Sequence, residues 1–246
     1  MPKRMIFAAN WKMVWDFAQT ITFAQQYRHE LAALADNRSI ILCPSFPAIP
    51  ELVNIFKNSP VCVGAQDCSG KVAGAFTGQV SAAHLASAGA TYCIIGHSER
   101  RRYNHETTQE VAAKTGLALA AGLTPILCVG ETADEQAAGK TSQVLEDQLL
   151  PVLEVIKQHP SAGVIIAYEP VWAIGTGKIP SSDDIKNAFG HLSHLARAAA
   201  ITSPLLYGGS VTAANAPLLK KIELLDGFLI GGASLDFQEL KNIVEC

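Results

Sequence analysis

The sequence predicts an α/β fold, a (β/α)8 barrel of parallel strands forming one domain over residues 1–246. Three observations carry that expectation. Short apolar runs rich in β-branched residues recur eight times, amphipathic segments separate them, and nearly every run ends at its C-terminal side in polar residues suited to chemistry. The runs are Met5 to Ala9, Ser39 to Cys43, Val61 to Ala65, Thr91 to Gly96, Thr124 to Val129, Gly163 to Tyr168, Pro204 to Tyr207 and Asp226 to Ile230. Their starts lie roughly 32 residues apart on average, the size of a strand plus its crossover helix. Eight such units use up the chain, and no Pro- or Ser-rich linker marks a second domain.

Between the runs, apolar residues take helical spacing. In Thr141 to His159 the residues Leu145, Leu149, Val152, Leu153 and Ile156 share one face. Ser181 or Ser182 can cap a later helix whose face carries Ile185, Ala188, Phe189, Leu192 and Leu195. Near-continuous apolar strands alternating with such helices imply a parallel sheet covered by helices. An open doubly wound sheet would concentrate function at one switch point. Here the polar strand ends are spread along the chain: Asn10 and Lys12, Ser45, Gln66, His97 and Glu99, Glu131, Glu169, Ser210, then Gly231-Gly232. A closed barrel brings all of those ends to one face.

Nineteen Lys and Arg against 22 Asp and Glu give a formal charge of −3, with no general attraction to nucleic acid or to an anionic membrane. Any anion must be held by a local site. Arg100-Arg101-Arg102 lies between Glu99 and Glu106 and is expected to make structural ion pairs or a subunit contact. The six cysteines form no C-x-x-C pair, and most sit in apolar runs, so buried reduced thiols in a reducing compartment are expected. The first apolar run is too short for a signal peptide, and no stretch of 18 apolar residues follows, which suggests a cytoplasmic protein. His29, His84, His105, His159, His191 and His194 show no metal-ligand spacing, and no metal site is expected.

Four features carry candidate chemistry. Gly208-Gly209-Ser210 and Gly231-Gly232 follow the last two strands, and Gly175-Thr176-Gly177 follows the sixth. Glycines let backbone N–H groups approach an anion, and barrel phosphate sites lie after strands seven and eight. Glu169 ends the sixth strand directly before the apolar segment Pro170 to Gly177, which is suited to a lid. Closing it would strip water from the carboxylate, raise its pKa and strengthen it as a base. His97 precedes a helix start at Ser98-Glu99, whose positive end would keep the imidazole neutral and able to donate to a substrate oxygen. Strand alternation would put Asn10 and Lys12 on one side, facing the barrel centre. No G-x-x-x-x-G-K-[ST] or G-x-G-x-x-G opens a first helix, so a nucleotide is not indicated.

The motifs resemble the triosephosphate isomerase family along the whole chain. The matching stretches are A-A-N-W-K-M (Ala8 to Met13), G-A-F-T-G (Gly74 to Gly78), I-I-G-H-S-E-R-R (Ile94 to Arg101), T-P-I-L-C-V-G-E (Thr124 to Glu131), A-Y-E-P-V-W-A-I-G-T-G (Ala167 to Gly177), Y-G-G-S-V (Tyr207 to Val211) and G-G-A-S-L (Gly231 to Leu235). The resemblance implies a TIM barrel that interconverts dihydroxyacetone phosphate and D-glyceraldehyde 3-phosphate, a step of glycolysis and gluconeogenesis, without cofactor or metal. It implies Glu169 as the base, His97 as the electrophile, Lys12 as the charge stabiliser and Asn10 as an orienting residue. Gly175, Ser210, Gly231 and Gly232 would hold the phosphate through backbone N–H groups, under a mobile lid over 170–177. Glu99 would partner Lys12 and His97, and Cys128 and Glu131 would be structural neighbours. A homodimer is implied, with the loop around Thr77 entering the partner. Three departures from the family pattern fall near that interface: Gln79 replaces the usual acid after G-A-F-T-G, Asp67 replaces the common Asn, and Val14-Trp15 replaces a small polar pair. The alternative is another phosphate-binding (β/α)8 barrel enzyme. A Schiff-base aldolase would need a lysine at a late strand end, where Glu169 stands.

Overall fold

The structure, a computed structural model, describes residues 4–175 and 179–246. In chain order the elements are β1 (Ile6–Asn10), α1 (Phe17–Gln26), α2 (Arg28–Leu34), β2 (Ser39–Cys43), α3 (Ile49–Ile55), β3 (Cys62–Ala65), α4 (Ala82–Ser87), β4 (Tyr92–Ile95), α5 (Ser98–Tyr103), α6 (Thr108–Ala120) and β5 (Thr124–Val129). They continue with α7 (Ala133–Ala137), α8 (Thr141–Ile156), β6 (Ile165–Tyr168), α9 (Ser182–Ala198), β7 (Leu205–Tyr207), α10 (Ala216–Leu219), β8 (Gly227–Ile230) and α11 (Phe237–Glu245). The strands close into a barrel in sequence order with parallel pairing, and Ile6 of β1 faces both Ser39 of β2 and Gly227 of β8. The expected runs Ser39 to Cys43 and Thr124 to Val129 coincide with strands, and the first strand is shifted one residue towards Asn10.

Alternation along the strands separates two apolar layers. Ala8, Ile41, Ile94, Ile126, Cys128, Ile165, Ala167, Leu206 and Leu229 pack together inside the barrel. Their neighbours, among them Phe7, Ile40, Leu127, Val129 and Ile166, pack outward against the helices. All five expected apolar positions of α8 and all five of α9 are buried. Ser181 caps α9 in a capping box with Asp184, and the same device starts α1, α6 and α7 through Asp16, Thr107 and Thr132. His194 is exposed, whereas His191 is half-buried. Cys43, Cys68, Cys93 and Cys128 are buried free thiols; Cys62 is half-buried and Cys246 exposed. Among the described residues no helix is long and apolar enough to cross a membrane.

Candidate active site

The C-terminal strand ends surround a cavity of about 470 Å³. Asn10, Lys12, His97, Glu169, Gly175, Ser210, Gly231 and Gly232 all line it, so every site residue named from the sequence is brought to one place. Of the expected lid over 170–177, Thr176 and Gly177 lie outside the described residues.

Lys12 reaches the cavity by a route that strand alternation did not foresee. β1 ends at Asn10, and Lys12 has a positive φ of 51°, a conformation that costs an L-residue on the order of 1 kcal/mol. Neighbouring side chains hold it there. Asn10 Oδ1 accepts from the Lys12 N–H at 3.1 Å, and the Lys12 carbonyl accepts from Gln66 Nε2 at 2.7 Å and Ser45 Oγ at 3.3 Å. Gln66 also donates to the Cys43 carbonyl at 2.9 Å, which ties the lysine turn to β2 and β3. The ammonium then meets Glu99 Oε1 at 2.6 Å. Ser45 and Gln66 were visible in the sequence as polar strand ends, but their role in holding a main-chain turn was not.

His97 is the N-cap of α5, and its Nδ1 accepts from the Glu99 N–H at 3.1 Å. A ring that accepts at Nδ1 carries its neutral-form proton on Nε2. That atom lies 3.1 Å from Glu169 Oε1, and Glu169 Oε2 accepts from the Ser98 N–H at 3.1 Å. Both side chains are buried. Burial alone would raise the Glu169 carboxyl, yet the charge of His97, its hydrogen bond, the Ser98 N–H and Lys12 together hold it below the usual carboxylate range. Burial likewise opposes a charge on His97, but the Glu169 carboxylate beside it, their hydrogen bond and Glu99 raise the imidazole above its ordinary value. The sequence reading expected the reverse for both: a carboxyl raised by water exclusion and an imidazole held neutral by its helix. The cause of the difference is their direct pairing in this arrangement, with Glu169 turned onto His97 and Ser98.

The wall of the cavity after β7 and β8, between Glu169 and Lys12, is mostly backbone. An ideal Cβ on Gly208 would lie 2.8 Å from Glu169 Cγ, and one on Gly209 would lie 2.1 Å from the Tyr207 hydroxyl. These two glycines therefore make room for side chains. Around a Cβ on Gly232 the space is open, and Gly231 lies alongside Lys12, its ideal Cβ 3.8 Å from Nζ. Gly232 opens a short 3-10 turn ending at Leu235, whose first N–H groups point out of the turn as in any helix start.

Comparison with known proteins matches the same chain over nearly its whole length. The family model described as triosephosphate isomerase matches residues 5–246. Curated relatives named triosephosphate isomerase include those of Colwellia psychrerythraea, 44% identical over 99% of this chain and 97% of the relative, and Phocaeicola vulgatus, 39% identical over 99% and 98%. A third, from Porphyromonas gingivalis, is 40% identical over 99% of both chains. The chain belongs to the triosephosphate isomerase family. Triosephosphate isomerases interconvert dihydroxyacetone phosphate and D-glyceraldehyde 3-phosphate, and membership sets aside the other phosphate-binding barrel enzymes.

In this triosephosphate isomerase fold the described part of the segment expected to form a lid is held at its N-terminal end. Val171 to Ala173 form a 3-10 turn. Glu131, itself buried, accepts from Trp172 Nε1 at 2.8 Å and from the Tyr168 hydroxyl at 3.1 Å. Ser210 Oγ donates to the Ala173 carbonyl at 2.6 Å, so the loop after β7 touches the segment after β6. Gly175 has a φ of 67°, a turn that glycine makes without strain. Arg101, next to the site, donates to the Gly96 carbonyl at 3.0 Å and the Cys128 carbonyl at 3.5 Å. The arginine run was expected to make ion pairs or a subunit contact, and this member of it is bonded to main-chain carbonyls.

Proposed function

We propose that this chain interconverts the two triose phosphates with Glu169 as base, His97 as electrophile and Lys12 as charge stabiliser. The observation that carries the reading is the meeting of those three side chains with a glycine wall in one cavity. The substrate phosphate sits against N–H groups of Gly175, Ser210, Gly231 and Gly232, with Lys12 beside it and Asn10 shaping the lysine turn. The carbonyl oxygen takes the hydrogen bond from His97 Nε2. Glu169 leaves Ser98 and His97, removes a proton from the carbon beside the carbonyl and returns it to the neighbouring carbon. Once that carboxylate turns to the substrate, the main group that raises His97 is gone, Glu99 alone still favours its charge, and the Glu99 N–H at Nδ1 favours the neutral ring. Lys12 and His97 meanwhile face the negative charge that develops on the enediolate oxygens. Closure of the lid excludes water and suppresses loss of phosphate from that intermediate.

A coupled assay of triose phosphate interconversion tests the reading. Glu169→Gln is expected to lower kcat by about 10²- to 10⁴-fold, and a loss within about tenfold would remove Glu169 as the base.

The same reading includes a homodimer and a single barrel domain over 1–246 in the cytoplasm. Support for the dimer comes from the loop Lys71 to Gln79, exposed throughout and including Thr77, and from exposed Met13, Val14, Val72, Phe76 and Tyr103 after β1, β3 and β4. Trp15 does not add to that surface, because it packs between Trp11 and Phe23 of its own chain at 5.1 and 4.7 Å. A monomer mass in sedimentation at micromolar concentration with full activity overturns the dimer. The buried free thiols support the reducing compartment.

A further inference from the structure

Arg100, which the proposed chemistry does not use, leads to a group of charges in a second cavity of about 500 Å³. Asp67, in the segment after β3, is its centre. Asp67 Oδ1 lies 2.6 Å from Lys114 Nζ of α6, and Oδ2 lies 3.0 Å from Arg100 Nη2 of α5. Lys114 also contacts Glu106 Oε1, and Arg100 Nε is 3.9 Å from that same oxygen. Glu106 and Lys114 are buried, and the Asp67 side chain is 15% exposed. Burial opposes the charge on Lys114, yet the two carboxylates hold it above the ordinary lysine range.

The helix that Arg100 belongs to is the one that furnishes the catalytic cavity. α5 has six residues, too few to be stable by itself. It nevertheless presents the Ser98 N–H to Glu169 and Glu99 to Lys12, with His97 at its N-cap. Arg101 fastens the helix inward, to the Gly96 and Cys128 carbonyls. Arg100 fastens it outward, through Asp67, to the segment after β3 and to α6.

We propose that Asp67 is a positioning residue for the isomerisation, holding α5 so that Ser98, His97 and Glu99 keep their places around Glu169 and Lys12. This rests on the roles proposed above for those residues. The charge type matters because an aspartate has two acceptor oxygens for its two cations. Asparagine has one, and its amide would turn N–H donors toward the other cation. Gln79, another of the departures from the family pattern, lines the same cavity and takes a hydrogen bond from Ser69 Oγ. The acid absent at 79 and the acid present at 67 thus face one space, where Asp67 and Glu106 meet Arg100 and Lys114.

The test compares wild type, Asp67→Asn, Asp67→Glu, Arg100→Gln and the Asp67→Asn/Arg100→Gln double variant in the triose phosphate assay. Asp67→Asn is expected to lower kcat about tenfold while KM moves less than about threefold, because the phosphate wall lies across the cavity from α5. Asp67→Glu, which keeps both acceptors, recovers most of that kcat. The losses of Asp67→Asn and Arg100→Gln are non-additive, since each breaks the same contact. If Asp67→Asn does not fold, Arg100→Gln carries the same split between kcat and KM. A wild-type kcat in Asp67→Asn, a loss that Asp67→Glu does not relieve, or strict additivity with Arg100→Gln overturns the proposal. A wild-type protein that does not isomerise triose phosphates overturns the functional reading instead.

Discussion

The two walls of the cavity are built on opposite principles. After β1, β4 and β6 it is lined by ionisable side chains, each already engaged: Lys12 with Glu99, His97 with Glu169, and Glu169 with the Ser98 N–H. After β7 and β8 it is lined by Gly208, Gly209, Gly231 and Gly232, of which the first two also leave room for neighbouring side chains. Under the proposed reading the wall of ionisable side chains transfers protons, which requires particular groups held at particular atoms, and it is crowded and cross-braced. Anion binding by main-chain N–H groups requires side chains to be absent.

The largest expected effect falls on the charged wall. Lys12→Ala removes a cation that, near a substrate charge at about 4 Å and an effective dielectric near 20, is worth on the order of 4 kcal/mol. A loss of about 10³-fold in kcat/KM should follow. An activity within about tenfold of wild type would mean that the glycine wall alone carries the substrate charge. Next come two substitutions that separate the kinds of glycine. Gly208→Ala places a methyl 2.8 Å from Glu169 Cγ, and displacing a base by about 1 Å can cost about 10²-fold in kcat. Gly232→Ala meets open space, so the fold tolerates it and the effect is a several-fold rise in KM, about 1 kcal/mol of lost anion contact. Steady-state kinetics of the pair checks the distinction, which fails if both act on the same constant.

The smallest effect is a pH dependence. Glu169 is held below its unfolded value, so its stabilising contribution is present above about pH 4.3 and is lost as pH falls through its folded value. His97 is held above its unfolded value, so its contribution is present below about pH 6.5 and is lost as pH rises through its folded value. Both are complete between roughly pH 4.5 and 6.5. Denaturation midpoints measured across pH should show extra stability in that window for wild type and a flatter profile for His97→Gln. Parallel profiles would mean that the pair is not coupled in the folded chain.

The barrel was legible because each βα unit repeats the same signal, and the site was legible because chemistry sits where strands end. Features that depend on contacts between units were hidden. The turn at Lys12 is made by Asn10, Ser45 and Gln66, which come from three different strand ends. The pairing of Glu169 with His97 joins β6 to β4, and it reversed both pKa directions expected from each residue's own surroundings. Gly208 and Gly209 read as anion-binding residues because sequence shows that a side chain is missing but not which neighbour occupies the space.

The seam between β1 and β8 sets the order in which this chain can become a protein. During synthesis β1 has β2 as its neighbour long before its second partner exists, and its other edge stays open until residues near Gly227 emerge. The joint is tight as well as late: a Cβ on Gly227 would lie 1.8 Å from the Ile6 carbonyl oxygen. Seven strands can assemble as a curled sheet with two adhesive edges, and the eighth removes both at once. Nascent chains stalled before Gly227 are therefore the species most exposed to mispairing, and the last strand made is the one that turns an open sheet into a barrel.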